Sequence, residues 1–404
     1  MHQNQRRPRL LAVAHEGSQT GAPMVLALLL QWLHDHTDVD IHTLLVHDGA
    51  LRPAFEAVGT VSTVDDLPGS SILELLERGL VHRGSSRAWR APAAARYEPA
   101  LRRLGTFDLV YLNSLTTLEL LPHLRGNPTV IAHMHETDVA IDCWPHAEDL
   151  PTWSRAPRRW IAVSEESGAA VTRLEGVDPE SVVVLPPFID VGRIQASAPD
   201  HLLRAELRRG LGIPRTAQVV VGSGTIDWRK GPDLFVQLAT EVRRRSPEGA
   251  RPVHFVWVGG KLDGVDWVRV RSDLRQSGAD HVHFTGHQAD PRPWFHLADV
   301  FALTSREDPF PLVCLEHAAL GTPVTAYSSS GIGALLRQAG AESARGVIPY
   351  LDVGAMAERI IDLLDDPTHR AQVGADLRAL VTDRYDVASV APAIASELGL
   401  PVAR

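Results

Sequence analysis

SREDPFPLVCLEHAALGTPV, residues 305–324, is the segment on which the reading of this chain turns. It sets two carboxylates, Asp308 and Glu316, eight residues apart on either side of a predicted helix start. Pro309 and Pro311 break the strand before it, and Pro311 suits the first turn of a helix. Gly321 followed by Pro323 reads as the stop. Asp308 then sits in the entry loop, with Glu316 about five residues into the helix and, at ~1.5 Å per residue, roughly one and a half turns deeper. Such a pair can grip a polar ligand lying along the helix start, where backbone N–H groups are free. Carboxylates accept hydroxyl hydrogen bonds, and sugars present rows of hydroxyls. Two acids alone would be an ordinary solvated helix face. The proline and glycine punctuation around them makes the segment specific.

Outward from this segment, short β-branched runs alternate with helix-period stretches, which predicts parallel α/β layers. Strands are expected at 10–14, 41–46, 61–64, 109–112, 129–132, 160–163 and 182–185. A second series is expected at 219–222, 254–258, 281–285, 300–304, 323–326 and 346–348. Between the series, LPPFIDVGRIQASAPD (185–200) is rich in proline and small residues and reads as a linker. The expected architecture is two Rossmann-like domains facing each other across a cleft, over residues 1–187 and 188–386.

Composition narrows the function classes. A length of 404 residues suggests two domains. Hydrophobic content of 44% and charged content of 22% are those of a globular protein. The net charge of −9 argues against nucleic-acid partners. Cys143 and Cys314 make no disulfide framework, which favours a reducing compartment. MHQNQRRPRLLAVAHEG has too short an apolar run for a signal peptide, and Met24 to Leu30 is too short to span a bilayer, so a cytoplasmic location is expected. Lysine is nearly absent, so Lys230, inside a motif, stands out.

That motif is SGTIDWRKGPDLF (223–235), following the strand at 219–222. A glycine loop leads to Arg229, Lys230 and Gly231, then to a helix from about Pro232. Two cations at a helix start make a diphosphate site. Gly222 and Gly224 mimic half of a dinucleotide fingerprint, but Asp227 occupies the third glycine position, so hydride transfer is not indicated. Asp38-Val39-Asp40 is formally an Asp-x-Asp metal clamp, yet it precedes a strand instead of ending one.

The acidic segment resembles the donor-binding motif of the family 4 retaining glycosyltransferases, which have the GT-B fold. In that family two Glu residues are separated by seven residues, before a small-residue helix, Gly and Pro-Val; here Asp308 replaces the first, with Glu307 just before it. The resemblance implies a sugar transferase that uses a nucleotide-diphosphate donor and an acceptor hydroxyl, with retained configuration and neither metal nor other cofactor. It implies that Arg229 and Lys230 neutralise the diphosphate and that Glu316 anchors the donor ribose. Asp308 or Glu307 holds sugar hydroxyls, and backbone amides from Phe310 through Pro311 to Leu312 add contacts. Gly224, and Gly286 with His287 near the base, complete the donor side. HEGSQTGAP (15–23) is similar to the family's first glycine loop, with Gly21 allowing close approach. His135, followed by Glu136, matches the family's strand-end histidine and would orient the transferred sugar. Asn113 is expected to touch the acceptor or the donor, and is assigned to acceptor binding. His133 and His135 share a strand face, and a His-x-His metal site is the competing reading of that pair. After Tyr327 the chain reads SSSGIGALL, without the acid the family more often has there, so no catalytic role is assigned. The last segment, 387–404, is expected to carry a helix crossing back to the first domain.

Residues 78–103 hold seven arginines, one acid (Glu98) and the aromatics Trp89 and Tyr97. They read either as a basic rim for an anionic acceptor or the inner membrane face, or as a solvated helical insertion. Acceptors open to this reading are a glycan, a lipid or a small molecule. Other functions compatible with the sequence are a GT-B enzyme of different chemistry, such as an epimerase or a non-glycosidic coupling enzyme, and a non-catalytic nucleotide-sugar binding protein.

Overall fold

A computed structural model describes residues 6–64, 72, 90–144 and 146–402. They divide into two compact units, residues 1–187 with 387–404, and residues 188–386.

The first unit is built on β1 (Arg9–Glu16), β2 (Asp40–His47), β3 (Thr60–Thr63), β4 (Leu109–Leu112), β5 (Thr129–Met134), β6 (Arg159–Ala162) and β7 (Val182–Val184). These pair in the order β3-β2-β1-β4-β5-β6-β7, and every pairing is parallel. Parallel strands need a crossover between them, so each lies a whole βα unit from the next in sequence. Burial on both faces explains why they read as continuous apolar runs: Leu10 to Ala14 are all inaccessible to solvent. The helix Val387–Glu397 packs in this unit against the helix Gly21–His36.

The second unit carries β8 (Gln218–Ser223), β9 (Val253–Val258), β10 (Val282–Phe284), β11 (Val300–Leu303), β12 (Val324–Tyr327) and β13 (Val347–Ile348). Their order is β10-β9-β8-β11-β12-β13, again all parallel. In both sheets the order reverses direction beside the first strand, at β1/β4 and at β8/β11. Ligands of doubly wound sheets bind outside the carboxyl ends at such switch points.

All of the expected strands are present, with ends moved by one or two residues. The stretch read as a linker is different. Ile189, Val191 and Ile194 are buried in the core of the second unit, Phe188 before them is fully buried, and Ile189 bridges Asp386. Its first residues, 185–187, belong to the first unit, and the rest to the second. An F-I-x-V-x-x-I spacing was hidden by the prolines and small residues around it.

Of the basic segment, 78–89 lies outside the described residues. In the helix Arg90–Leu104, Arg96 is no rim residue: it is buried, its guanidinium 5.1 Å from the Tyr97 ring. Arg102 pairs with Glu98 at 3.3 Å. Among the described residues no helix is long and apolar enough to cross a membrane.

Candidate active site

In the second unit, the loops after β8 and β11 meet at the switch point. Gly231 ends the first loop with φ 67° and ψ 43° and caps the helix Pro232–Arg245. A Cβ there would lie 2.2 Å from the Thr304 carbonyl oxygen, so only glycine lets the two loops touch. Thr304 Oγ1 donates to the Gly231 carbonyl at 2.9 Å. Arg306 ties the same loops from outside. Its guanidinium reaches both Asp233 oxygens, at 2.9 and 2.6 Å, and the Trp228 carbonyl at 2.8 Å, while its N–H donates to the Arg229 carbonyl at 2.8 Å.

This stitching aligns the charges. Lys230 Nζ donates to Asp308 Oδ2 at 2.6 Å, with side chains 18% and 7% exposed. Ser305 Oγ donates to the same oxygen at 3.4 Å. Arg229 is exposed and has no side-chain partner among the described residues. Asp308, expected to hold sugar hydroxyls, is therefore buried against Lys230, while Glu307 beside it is half-buried.

The helix of the acidic segment spans Leu312–Ala319, with Pro311 as its N-cap instead of its first residue. Leu312 and Val313 lead with N–H groups that have no intrahelical acceptor. Pro311 has no N–H at all, so the expected row of amides is interrupted there. Phe310 packs its ring 5.9 Å from that of Tyr385. At the other end Gly321, with φ 78°, donates to Ala318, and Thr322 donates to His317, both at 2.9 Å. This is the paired closure that a left-handed glycine permits. Glu316 is the fifth helical residue, half-buried. Burial pushes its carboxyl up to about 7, against the opposing pull of Arg292, with Asp290 adding to the rise. Arg292 is itself held by Asp290 through two contacts of 2.6 Å.

Neighbouring loops close the same edge. Trp257 Nε1 donates to the Gly224 carbonyl at 3.1 Å. The Gly259 N–H donates to the Gly286 carbonyl at 3.1 Å, joining the loops after β9 and β10. His287 follows, exposed. Gly224, Lys230, Asp308 and Gly286 thus belong to one stitched set of loops.

The first unit has its own cluster at the carboxyl ends of β1, β4 and β5. Asn113 is fully buried. Its Nδ2 donates to the Ala22 carbonyl at 2.9 Å, which turns Oδ1 toward His135 Nε2 at 3.2 Å. Asn113 therefore positions His135 and is not exposed to an acceptor. The bond puts the proton on Nε2 and leaves Nδ1 as an acceptor. Burial, aided by the charge of His15, holds the His135 pKa down at about 3, so the ring is neutral. Glu136 organises the loop, accepting from Ser114 Oγ at 2.5 Å, the Leu115 N–H at 3.1 Å and the His135 N–H at 2.9 Å. His133 is buried, with Nδ1 2.5 Å from the Tyr111 hydroxyl, and its ring centroid is 4.2 Å from that of His135. Among the described residues no group of three or more His, Cys, Asp or Glu is placed to hold a metal. Gly21 is exposed at the first position of the helix Gly21–His36. Asp38 and Asp40 pair with Arg7 and Arg9, at 2.6 and 3.4 Å, at the start of β2.

Sequence reasoning missed Arg306, Asp233, Arg292 and Tyr111. Only Arg306, next to the acidic pair, carried a local signal.

Residues 217–366 match the family described as glycosyl transferases group 1. The chain is 31% identical over 243 residues to D-inositol 3-phosphate glycosyltransferase of Kineococcus radiotolerans, covering 54% of this chain and 52% of that protein. It is 33% identical over 210 residues to the GDP-mannose-dependent alpha-(1-6)-phosphatidylinositol monomannoside mannosyltransferase of Mycolicibacterium smegmatis, covering 50% and 52%. The chain thus spans about half the length of these curated relatives. Anabaena HepE, solved with UDP and glucose, superposes with a TM-score of 0.75 at 20% identity, over 97% of this chain and 100% of that one. WaaG, a glycosyltransferase involved in lipopolysaccharide biosynthesis, gives 0.67 at 15% identity, over 96% and 99%.

Proposed function

We propose that this chain, of the GT-B fold and of the family 4 type of glycosyltransferase, moves a sugar from a nucleotide-diphosphate donor to an acceptor hydroxyl. One observation carries the reading. Exposed Arg229 and adjacent Lys230 stand at the switch point of the second unit, where the Leu312–Ala319 helix brings its leading N–H groups and Glu316. Cations and helix N–H groups stabilise the charge that builds on a departing diphosphate. Glu316 binds the donor ribose, and Glu307 or Asp308 the sugar. In the first unit, His135 offers Nδ1 to a sugar hydroxyl, held in that tautomer by Asn113. The loops of Gly286 and His287 take the base, and Gly21 lets the substrate approach the first helix. The UDP and GDP-mannose named for the neighbours support a UDP- or GDP-linked sugar. The inositol-type acceptors in the relatives' names support an acceptor rich in hydroxyls, in glycolipid, surface-glycan or natural-product synthesis. Configuration is retained, and no metal takes part.

The test is turnover of labelled UDP- and GDP-sugars by the full chain. Arg229→Ala and Glu316→Ala should each abolish release of the nucleoside diphosphate while the fold survives. Near-normal rates in both variants would overturn the assignment. Chelation with EDTA should leave activity intact; loss restored by a divalent ion would replace the metal-free reading.

A further inference from the structure

The second unit carries another concentration of positive charge, at the opposite edge of its sheet. A depression of about 380 Å³ is lined by Arg204, Arg208, Arg215, Arg251 and Arg370, with Asp299 the one carboxylate among its lining residues. Gln218 opens β8, Asp299 immediately precedes β11, and Arg251 lies two residues before β9. The depression therefore sits at the amino ends of these strands. Arg229 and Lys230 follow the carboxyl end of β8, about 20 Å away at ~3.3 Å per residue. The two basic sites are separate.

The five arginines divide by what they already do. Arg370 donates to the Leu363 and Leu364 carbonyls at 3.1 and 3.2 Å and pairs with Asp299 at 3.4 Å. Asp299 also accepts the Val219 N–H at 2.9 Å, so its charge is spent on the floor of the site. Arg208 spends one terminal nitrogen on the Pro214 and Ala217 carbonyls, both at 2.7 Å. Its Nε is buried and has no acceptor among the described residues, an arrangement that costs free energy until an acceptor arrives. Burial and the charge of Arg204 pull the Arg208 guanidinium down from its usual pKa, against the opposing pull of Asp299. Arg204, Arg215 and Arg251 are exposed, and none has a side-chain acceptor among the described residues.

We propose that this depression binds a phosphate-bearing anion of at least two negative charges, such as a diphosphate. Guanidinium forks match phosphate oxygens in pairs, which a single carboxylate cannot use as fully. Five guanidinium charges face one carboxylate in the lining, an excess that a monoanion does not balance. The phosphate can come from a soluble molecule or from a lipid headgroup. Leu202, on the helix His201–Gly210 beside Arg204, is 66% exposed and would serve the second source. The site is independent of the donor assignment, because it shares no residue with it.

Inorganic pyrophosphate is titrated calorimetrically into the full chain and into Arg215→Ser/Arg251→Ser. Both arginines are exposed and spend no side-chain bond within the fold, so the variant should keep the wild-type circular dichroism and unfolding midpoint. The expected result is the loss of one binding equivalent, or a weakening of about tenfold or more at it. Arg229→Ala should leave that equivalent in place. Sedimentation with phosphatidylglycerol and phosphatidylcholine vesicles identifies the source. Capture by the anionic vesicles alone, lost in the double variant, assigns a headgroup; pyrophosphate binding without capture assigns a soluble ligand. Unchanged pyrophosphate binding in the double variant, with no arginine-dependent capture, would overturn the proposal.

Discussion

Removing the Lys230 ammonium should unfold the second unit more easily, and should do so through Asp308. In the wild type these groups meet at 2.6 Å. Lys230→Met leaves a carboxylate in a residue 6% exposed, with Ser305 Oγ, at 3.4 Å, its remaining side-chain hydrogen-bond partner among the described residues. That distance is long for O–H···O. Breaking a buried pair costs ~3–5 kcal/mol because the stranded charge stays desolvated. The partial exposure of Lys230 places this case near the low end, at ~3 kcal/mol. For a unit of this size, 1 kcal/mol moves the midpoint roughly 2–4 °C, so a fall of about 6–12 °C is expected. Asp308→Asn in the Lys230→Met background removes the stranded charge. The double variant should then return to within ~1 kcal/mol of the wild type. Calorimetric unfolding of the four proteins closes the cycle, with an expected coupling of ~2 kcal/mol or more. Additive effects, with no coupling, would refute the reasoning and reduce the pair to a solvent-screened contact of ~0–1 kcal/mol. The restored double variant should still bind nucleoside diphosphate poorly, because the cation itself is gone.

The remaining predictions use other parts of the two units. Glu316, raised by burial to about 7, contributes stability that is full below its unfolded pKa near 4.5 and lost as pH rises through 7. Glu316→Gln should therefore match the wild type at pH about 4 and exceed it in unfolding midpoint at pH about 8; an equal difference at both would contradict the shift. Gly231→Ala forces a left-handed alanine, with its Cβ 2.2 Å from a backbone oxygen. A loss of ~2 kcal/mol or more is expected in chemical denaturation, and a neutral effect would mean that the two loops are not in contact. His135, held at about 3, stays neutral from mildly acidic pH upward. His135→Ala should lower turnover by roughly 10²-fold without removing any limb near pH 6–7 from the rate profile; the disappearance of such a limb would show a titrating ring.

Most central strands were legible because they are short runs rich in valine, isoleucine or leucine buried on both faces, as in Val219 to Val221. Landmarks of the backbone were legible too. Gly321 and the prolines of the acidic segment mark the helix ends in the sequence itself. Side-chain partnerships were not. Lys230 and Asp308 are 78 residues apart, and Arg306 and Asp233 are 73 apart. Asn113 and His135 are separated by 22 residues. Parallel pairing makes neighbours of strands separated by whole crossovers, so no local pattern announces these contacts. The roles expected for Asp308 and Asn113 came from motif position alone, which says nothing of burial. Residues 185–200 were misread for a related reason: composition suggested a linker, while the spacing of Ile189, Val191 and Ile194 builds core.

The most direct measurement is the crystal structure of the full chain grown with UDP or GDP. Density for the diphosphate is expected within hydrogen-bonding reach of Lys230 and of the Leu312 and Val313 N–H groups, with the ribose at Glu316. A nucleotide bound elsewhere, with that edge of the second sheet holding only water, would contradict the account.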